Sequence, residues 1–185
     1  MSPEWMVWNL TLAAVPALLS IPLFRPEARP TVGWWATFAV FVAFLPNAPY
    51  VLTDIIHFAD DVRASQSDLW VAFYLIPKYG GFILAGFGCY VVSVVRLQRW
   101  LRARGRSLTS VAAVVGGLHV LCTVGILLGR VFRLNSWDLL VRPHAVLEAV
   151  TVPSATTVVV LLLTVMVLAM ATLAPQLVTI RPRRR

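Results

Sequence analysis

Asp54 and His57 stand three residues apart, which puts a carboxylate and an imidazole on one face of a helix. Such a pair can share a divalent metal ion, or the carboxylate can orient the imidazole for acid–base work. Their neighbours extend the pattern. Asn47, Tyr50, Asp54, His57 and Asp61 are spaced three, four, three and four, so an unbroken helix carries all five on one face. A second polar cluster comes later. Arg130 and Arg133 form a guanidinium fork for a phosphate or a carboxylate. Asn135 and Asp138 have the spacing of a helix cap, and Trp137 suits a membrane surface. His144 and Glu148, four apart, share a helix face and complete a candidate metal set of Asp54, His57, His144 and Glu148. The candidate ligand-binding residues are Asn47, Tyr50, Asp54, His57, Lys78, Arg130, Arg133, Asn135, Trp137 and Asp138. A structural alternative is a salt bridge between the clusters, from Arg130 or Arg133 to Asp54.

The elements that must position these groups are apolar. Hydrophobic residues make up 59% of the chain and charged residues 13%, and the mean hydropathy is +0.79. That balance excludes an ordinary soluble domain. A membrane-spanning helix needs about 20 apolar residues, and about five stretches of that kind occur, near 5–24, 32–52, 69–95, 108–129 and 145–174. The fold expected is all-α: one polytopic bundle of transmembrane helices over 1–185, with a basic tail over 175–185. Unbroken runs of this length do not suit the alternating strands of a β-barrel. Pro46 and Pro49 predict a kink near the end of the second span.

Positive charge gives an orientation. Arg25 and Arg29, then Arg96, Arg99, Arg102, Arg104 and Arg106, then Arg181, Arg183, Arg184 and Arg185 all fall on one side of a five-span chain. The positive-inside rule makes that side cytoplasmic. The N-terminus is then outside, the C-terminus inside, and both polar clusters extracytoplasmic. The first span lacks a basic segment before it and carries Glu4, unlike a cleaved signal peptide. The net charge of +8 is accounted for by these topology signals, which also touch anionic lipid; nucleic acid is not an expected partner.

Three further features stand inside the spans. Lys78, the only lysine, lies about nine residues into the third span, roughly 13 Å deep, where it is either paired with a carboxylate or neutral. His119 lies at a similar depth and is read as hydrogen-bonded to a neighbouring helix, with a functional role as the rival. Gly80, Gly81, Ala85 and Gly88, with Gly116, Gly117, Gly125 and Gly129, suggest close helix packing or a dimer face. Cys89 and Cys122 are expected as free thiols with no redox motif. The basic loop from Arg96 predicts a turn at Gly105 and a helix cap at Ser107 or Thr109.

The string Leu45-Pro46-Asn47-Ala48-Pro49-Tyr50 with Thr53-Asp54 and His57, and the string Gly129-Arg130 with Arg133 and Asn135-Ser136-Trp137-Asp138, resemble the prokaryotic multi-pass membrane family catalogued as domain of unknown function 1361. The resemblance covers most of the chain and carries no activity with it. It implies that both clusters matter to the family.

The expected function is that of a multi-pass cell-membrane protein with an extracytoplasmic polar site. That site binds a lipid head group, a small anion or a partner protein, which includes a second copy of the chain. One alternative is a metal-dependent membrane enzyme acting on a lipid or lipid-linked substrate, with a divalent metal as cofactor. Another is a small transporter or proton-coupled channel relaying charge through Lys78, His119 and Asp54. No GxSxG or HExxH signature strengthens the enzyme reading.

Overall fold

The computed structural model describes residues 4–130, 144 and 164–172 of the 185-residue chain. All elements among them are helical. In chain order they are α1 (Glu4–Leu23), α2 (Val32–Phe44), α3 (Asn47–Tyr50), a 3-10 turn (Val51–Asp54), α4 (Ile55–Ala64), α5 (Asp68–Trp70), a π turn (Val71–Leu75), α6 (Ile76–Ala103) and α7 (Leu108–Arg130). Among the described residues four runs are long and apolar enough to cross a membrane: Glu4–Leu23, Val32–Ala64, Asp68–Ala103 and Leu108–Arg130. The fifth expected span, 145–174, lies outside the described residues except for the helical stretch 164–172. Two compact units divide the chain, Met1–Ser93 and Val94–Arg185, with the division falling inside α6.

In the first unit, α1 buries Met6, Ala13, Pro16, Ser20 and Leu23. Gaps of seven, three, four and three keep them on one stripe, and α1 packs on α2 and α3. The link from α1 to α2 is closed by polar groups. Thr31 caps α2 by accepting from Trp34 N–H at 3.3 Å. The Trp34 indole donates to the Leu23 carbonyl at 2.9 Å, satisfying one of the carbonyls that the end of α1 leaves open. Phe24 then meets Phe41 edge-on at 5.3 Å, and Phe38 stacks on Trp34 at 5.0 Å.

The second helical run does not stop near Leu52, as the apolar pattern suggested, but continues to Ala64. It is broken on the way by the two prolines, and the hydrogen bonds show how. Pro49 has no N–H to give the Leu45 carbonyl, so that carbonyl takes the Ala48 N–H at 3.2 Å instead. The Phe44 carbonyl, which an unbroken helix would serve from Ala48, receives the Asn47 side-chain amide at 3.0 Å. Asn47 is therefore a component of the bend. The 3-10 turn that follows winds four residues about 80° further than an α-helix would. This divides the single five-residue face expected from the spacing. Asn47 turns back to α2, Asp54 and His57 meet α1, and Asp61 meets α6.

The third run starts with Ser67 as cap, its hydroxyl accepting from Trp70 N–H at 3.3 Å. Its π turn lies directly before Pro77, with Ile76 N–H reaching back to the Val71 carbonyl. A proline there cannot serve the Phe73 carbonyl and its ring presses on it; the widened turn relieves both problems.

Five of the glycines singled out by pattern have open space beside them. A Cβ at Gly80, Gly81, Gly88, Gly116 or Gly117 would meet nothing within 4 Å. At Gly86 it would lie 2.7 Å and 2.8 Å from the two methyls of Val51. Gly86 thus lets α6 seat against the buried 3-10 turn.

In the second unit, the turn between α6 and α7 forms as the sequence predicts. Gly105 adopts φ +71, its N–H bonds the Arg102 carbonyl at 2.9 Å, and Arg106 N–H bonds the Leu101 carbonyl at 3.2 Å. This is the paired closure that favours glycine just past a helix end. Ser107 caps α7 by accepting from Ser110 N–H at 3.2 Å. His119 is buried, with Nε2 3.2 Å from the Thr172 hydroxyl, which is the helix-to-helix bond expected of it. Both cysteines are free thiols.

Candidate functional site

The polar groups of the first unit come together where α1, α4 and α6 meet. Asp54, at the end of the 3-10 turn, is only 2% exposed. Its Oδ2 accepts from the Asn9 side-chain amide on α1 at 2.9 Å. A buried carboxylate is costly without such donors, so Asn9 is part of the reason Asp54 can sit there. One helical turn on, the His57 ring lies 4.8 Å from the ring of Trp5, tilted by 50°. Trp5 also meets Phe82 edge-on at 5.4 Å and Tyr79 at 6.3 Å. Trp5 therefore joins the Asp54–His57 side of α4 to α6.

Asp61, two turns after Asp54, takes the Tyr79 hydroxyl on Oδ2 at 2.8 Å. The same oxygen is 4.0 Å from Lys78 Nζ. Lys78 sits over two rings, 5.1 Å from the centre of Tyr79 and 5.6 Å from that of Tyr74. Tyr74 in turn stacks on Trp70 at 4.2 Å. At 4.0 Å the carboxylate is outside hydrogen-bond reach, so the three donors of Lys78 make no hydrogen bond among the described residues. The side chains of Lys78 and Asp61 are 25% and 27% exposed. They line an open cleft of about 310 Å³ together with Ala64, Ser65, Trp70, Tyr74 and Leu75.

The expected site residues divide on this structure. Asp54 and His57 lie near each other but face different partners, Asn9 and Trp5. Among the described residues no group of three His, Cys, Asp or Glu side chains is placed to hold a metal ion. His144 is exposed, and Glu148 lies outside the described residues. So do Arg133, Asn135, Trp137 and Asp138, the greater part of the second cluster; Arg130 ends α7. Tyr50 is half-buried and its carbonyl accepts from the Thr53 hydroxyl at 2.7 Å. Lys78 stands at the outer limit of ion pairing with one carboxylate, Asp61, at 4.0 Å and without a hydrogen bond to it.

Asn9, Trp5, Trp70, Tyr74 and Tyr79 complete the site and were not singled out by spacing. Two signals for them exist in the sequence. A lone Asn inside an apolar span needs a polar partner, which Asn9 finds in Asp54. Trp70, Tyr74 and Lys78 recur every four residues, the signature of one helix face.

A family model described as "Protein of unknown function (DUF1361)" matches residues 8–171. No curated protein and no solved structure matches the chain. The matched segment contains the proline-bent motif, the Lys78 cleft and the second polar cluster, and it spans most of the sequence. The chain belongs to the DUF1361 family.

Proposed function

We propose that this chain is a five-span protein of the cell membrane, folded as one integral domain with its N-terminus outside and its C-terminus in the cytoplasm. Its polar end faces outward and binds the phosphate-bearing head group of a membrane lipid, or a small anion of the same chemistry.

Helix length supports the depth this reading needs. The run Asp68–Ala103 has 36 residues, about 54 Å at 1.5 Å per residue, against a hydrocarbon core of about 30 Å. Its inner end carries Arg96, Arg99 and Arg102, which belong at a cytoplasmic surface. Counting about 20 residues back from Arg96 reaches the neighbourhood of Ile76. Trp70 and Tyr74 then sit among the head groups, as interfacial aromatics do. Lys78 sits just below them with a stem long enough to reach outward, well short of the roughly 13 Å depth that counting from the start of the apolar stretch gives.

The observation that carries the proposal is Lys78 itself. A half-buried ammonium with two ring faces, a carboxylate at 4.0 Å and no hydrogen bond of its own among the described residues is completed by an anionic oxygen. The cleft beside it is at the small end of the range for ligand sites, which fits a head group.

The test is phospholipid phosphorus per chain after exhaustive detergent exchange. Wild-type protein should retain it and Lys78→Gln should lose most of it. Equal phosphorus in both would remove Lys78 from the site and sink this reading. Orientation is tested separately by a cysteine at Ser67 in a background without native thiols. It should react with an impermeant maleimide added outside intact cells; reaction only after lysis would reverse the topology.

A further inference from the structure

We infer that the cleft at Lys78 selects a zwitterion, a phosphate and a primary ammonium separated by two carbons, as in the phosphoethanolamine head group, with Lys78 holding the phosphate and Asp61 the ammonium. This rests on the head-group reading and adds the class of head group.

The charge in the cleft carries the inference. Of the seven residues that line it, Lys78 and Asp61 alone are charged, and they have opposite signs. Neither satisfies the other, since their closest atoms are 4.0 Å apart. The Tyr79 hydroxyl occupies Asp61 Oδ2, while Oδ1 has no hydrogen-bond partner among the described residues. The cleft therefore presents open donors and an open acceptor side by side. A purely anionic ligand on Lys78 would also face the Asp61 carboxylate, which weakens its hold relative to a ligand that answers both charges. A simple cation on Asp61 would be repelled by Lys78. A ligand with both charges satisfies both groups and leaves the cleft neutral. Trp70, stacked on Tyr74, lines the same cleft and makes its wall aromatic. Nearby surface charge does not upset the balance, since Asp60 is paired with Arg63 at 3.0 Å and both are exposed.

The experiment uses the full chain in nanodiscs of equimolar phosphatidylethanolamine and phosphatidylglycerol, with retained lipid read by native mass spectrometry. Phosphatidylethanolamine should be retained about tenfold over phosphatidylglycerol, the discrimination one charge-assisted contact supplies. Asp61→Asn keeps an acceptor for Tyr79 and so preserves the packing; it should abolish the preference without abolishing retention. Asp60→Asn makes the same charge change one residue away and should leave the preference intact. Free phosphoethanolamine added as competitor separates the two sources of this chemistry. Displacement at lipid-like concentrations assigns the site to a soluble ligand, and no displacement assigns it to the lipid. Retention of phosphatidylglycerol at or above phosphatidylethanolamine overturns the zwitterion but leaves the head-group reading standing. Retention of neither overturns both.

Discussion

Two carboxylates on one helical run meet opposite treatment. Asp54 is buried and takes the amide of Asn9 across from α1. Asp61, two turns further on, is a quarter exposed, shares one oxygen between a tyrosine and a distant lysine, and opens onto a cleft. His119 in the second unit resembles the first of these: buried, and bonded across to Thr172. The contrast separates polar groups that hold helices together from polar groups that still have bonds to offer. Burial inside a membrane protein is not by itself a sign of function; an unfilled bonding position next to open space is the better one.

The contrast can be broken most severely at Asp54. Replacing it with Ala leaves the half-buried Asn9 amide without its acceptor and should cost about 3 kcal/mol of unfolding free energy in detergent. Asn9→Ala should cost less, and the double variant should cost less than the sum of the two. Additive losses would mean the 2.9 Å bond is not coupled to stability.

The next effect is at Gly86. An added methyl there collides with Val51, and Gly86→Ala should destabilise by about 2 kcal/mol. Val51→Ala in the same chain should recover part of it. A Gly86→Ala protein as stable as wild type would show that α6 can back away from the 3-10 turn.

Lys78→Gln belongs to the other class. A partly exposed pair at 4.0 Å is worth between zero and about 1 kcal/mol, so stability should hardly change while bound phospholipid falls. Loss of both together would make Lys78 a structural residue. The smallest effect expected is Thr172→Val. Hydrogen bonds between membrane helices average about 0.6 kcal/mol, and retained lipid should be unchanged. A lipid phenotype there would place His119 with the binding groups after all.

Much of this was legible in the sequence. Composition and run length gave the helices, because a bilayer demands apolar stretches of fixed length. Gly105 and Ser107 marked the turn between α6 and α7, because left-handed φ and capping oxygen are local requirements. The His119 bond to another helix followed from the cost of a lone polar group among apolar ones. What was not legible depended on events over several residues at once. The 3-10 turn at Val51–Asp54 broke a face that spacing alone made continuous. The close contact at Gly86 was not marked by pattern, since which glycine meets a neighbour depends on where that neighbour's side chains stand, which here is Val51. The cleft was missed because Trp70 and Tyr74 read as ordinary span residues until the third helical run is seen to begin at Asp68 and to overrun the membrane thickness.

The π turn at Val71–Leu75 has a consequence for how this family can vary. A π turn is an α-helix carrying one residue too many. Deleting a single residue such as Ala72 would restore regular winding and leave the helix on either side in nearly its present register, because the wide turn already absorbs the extra residue's rotation. Trp70 and Lys78 would both keep their places beside the cleft. In a relative, a one-residue gap here would mark a helix that lost the wide turn and kept the walls of the pocket in register.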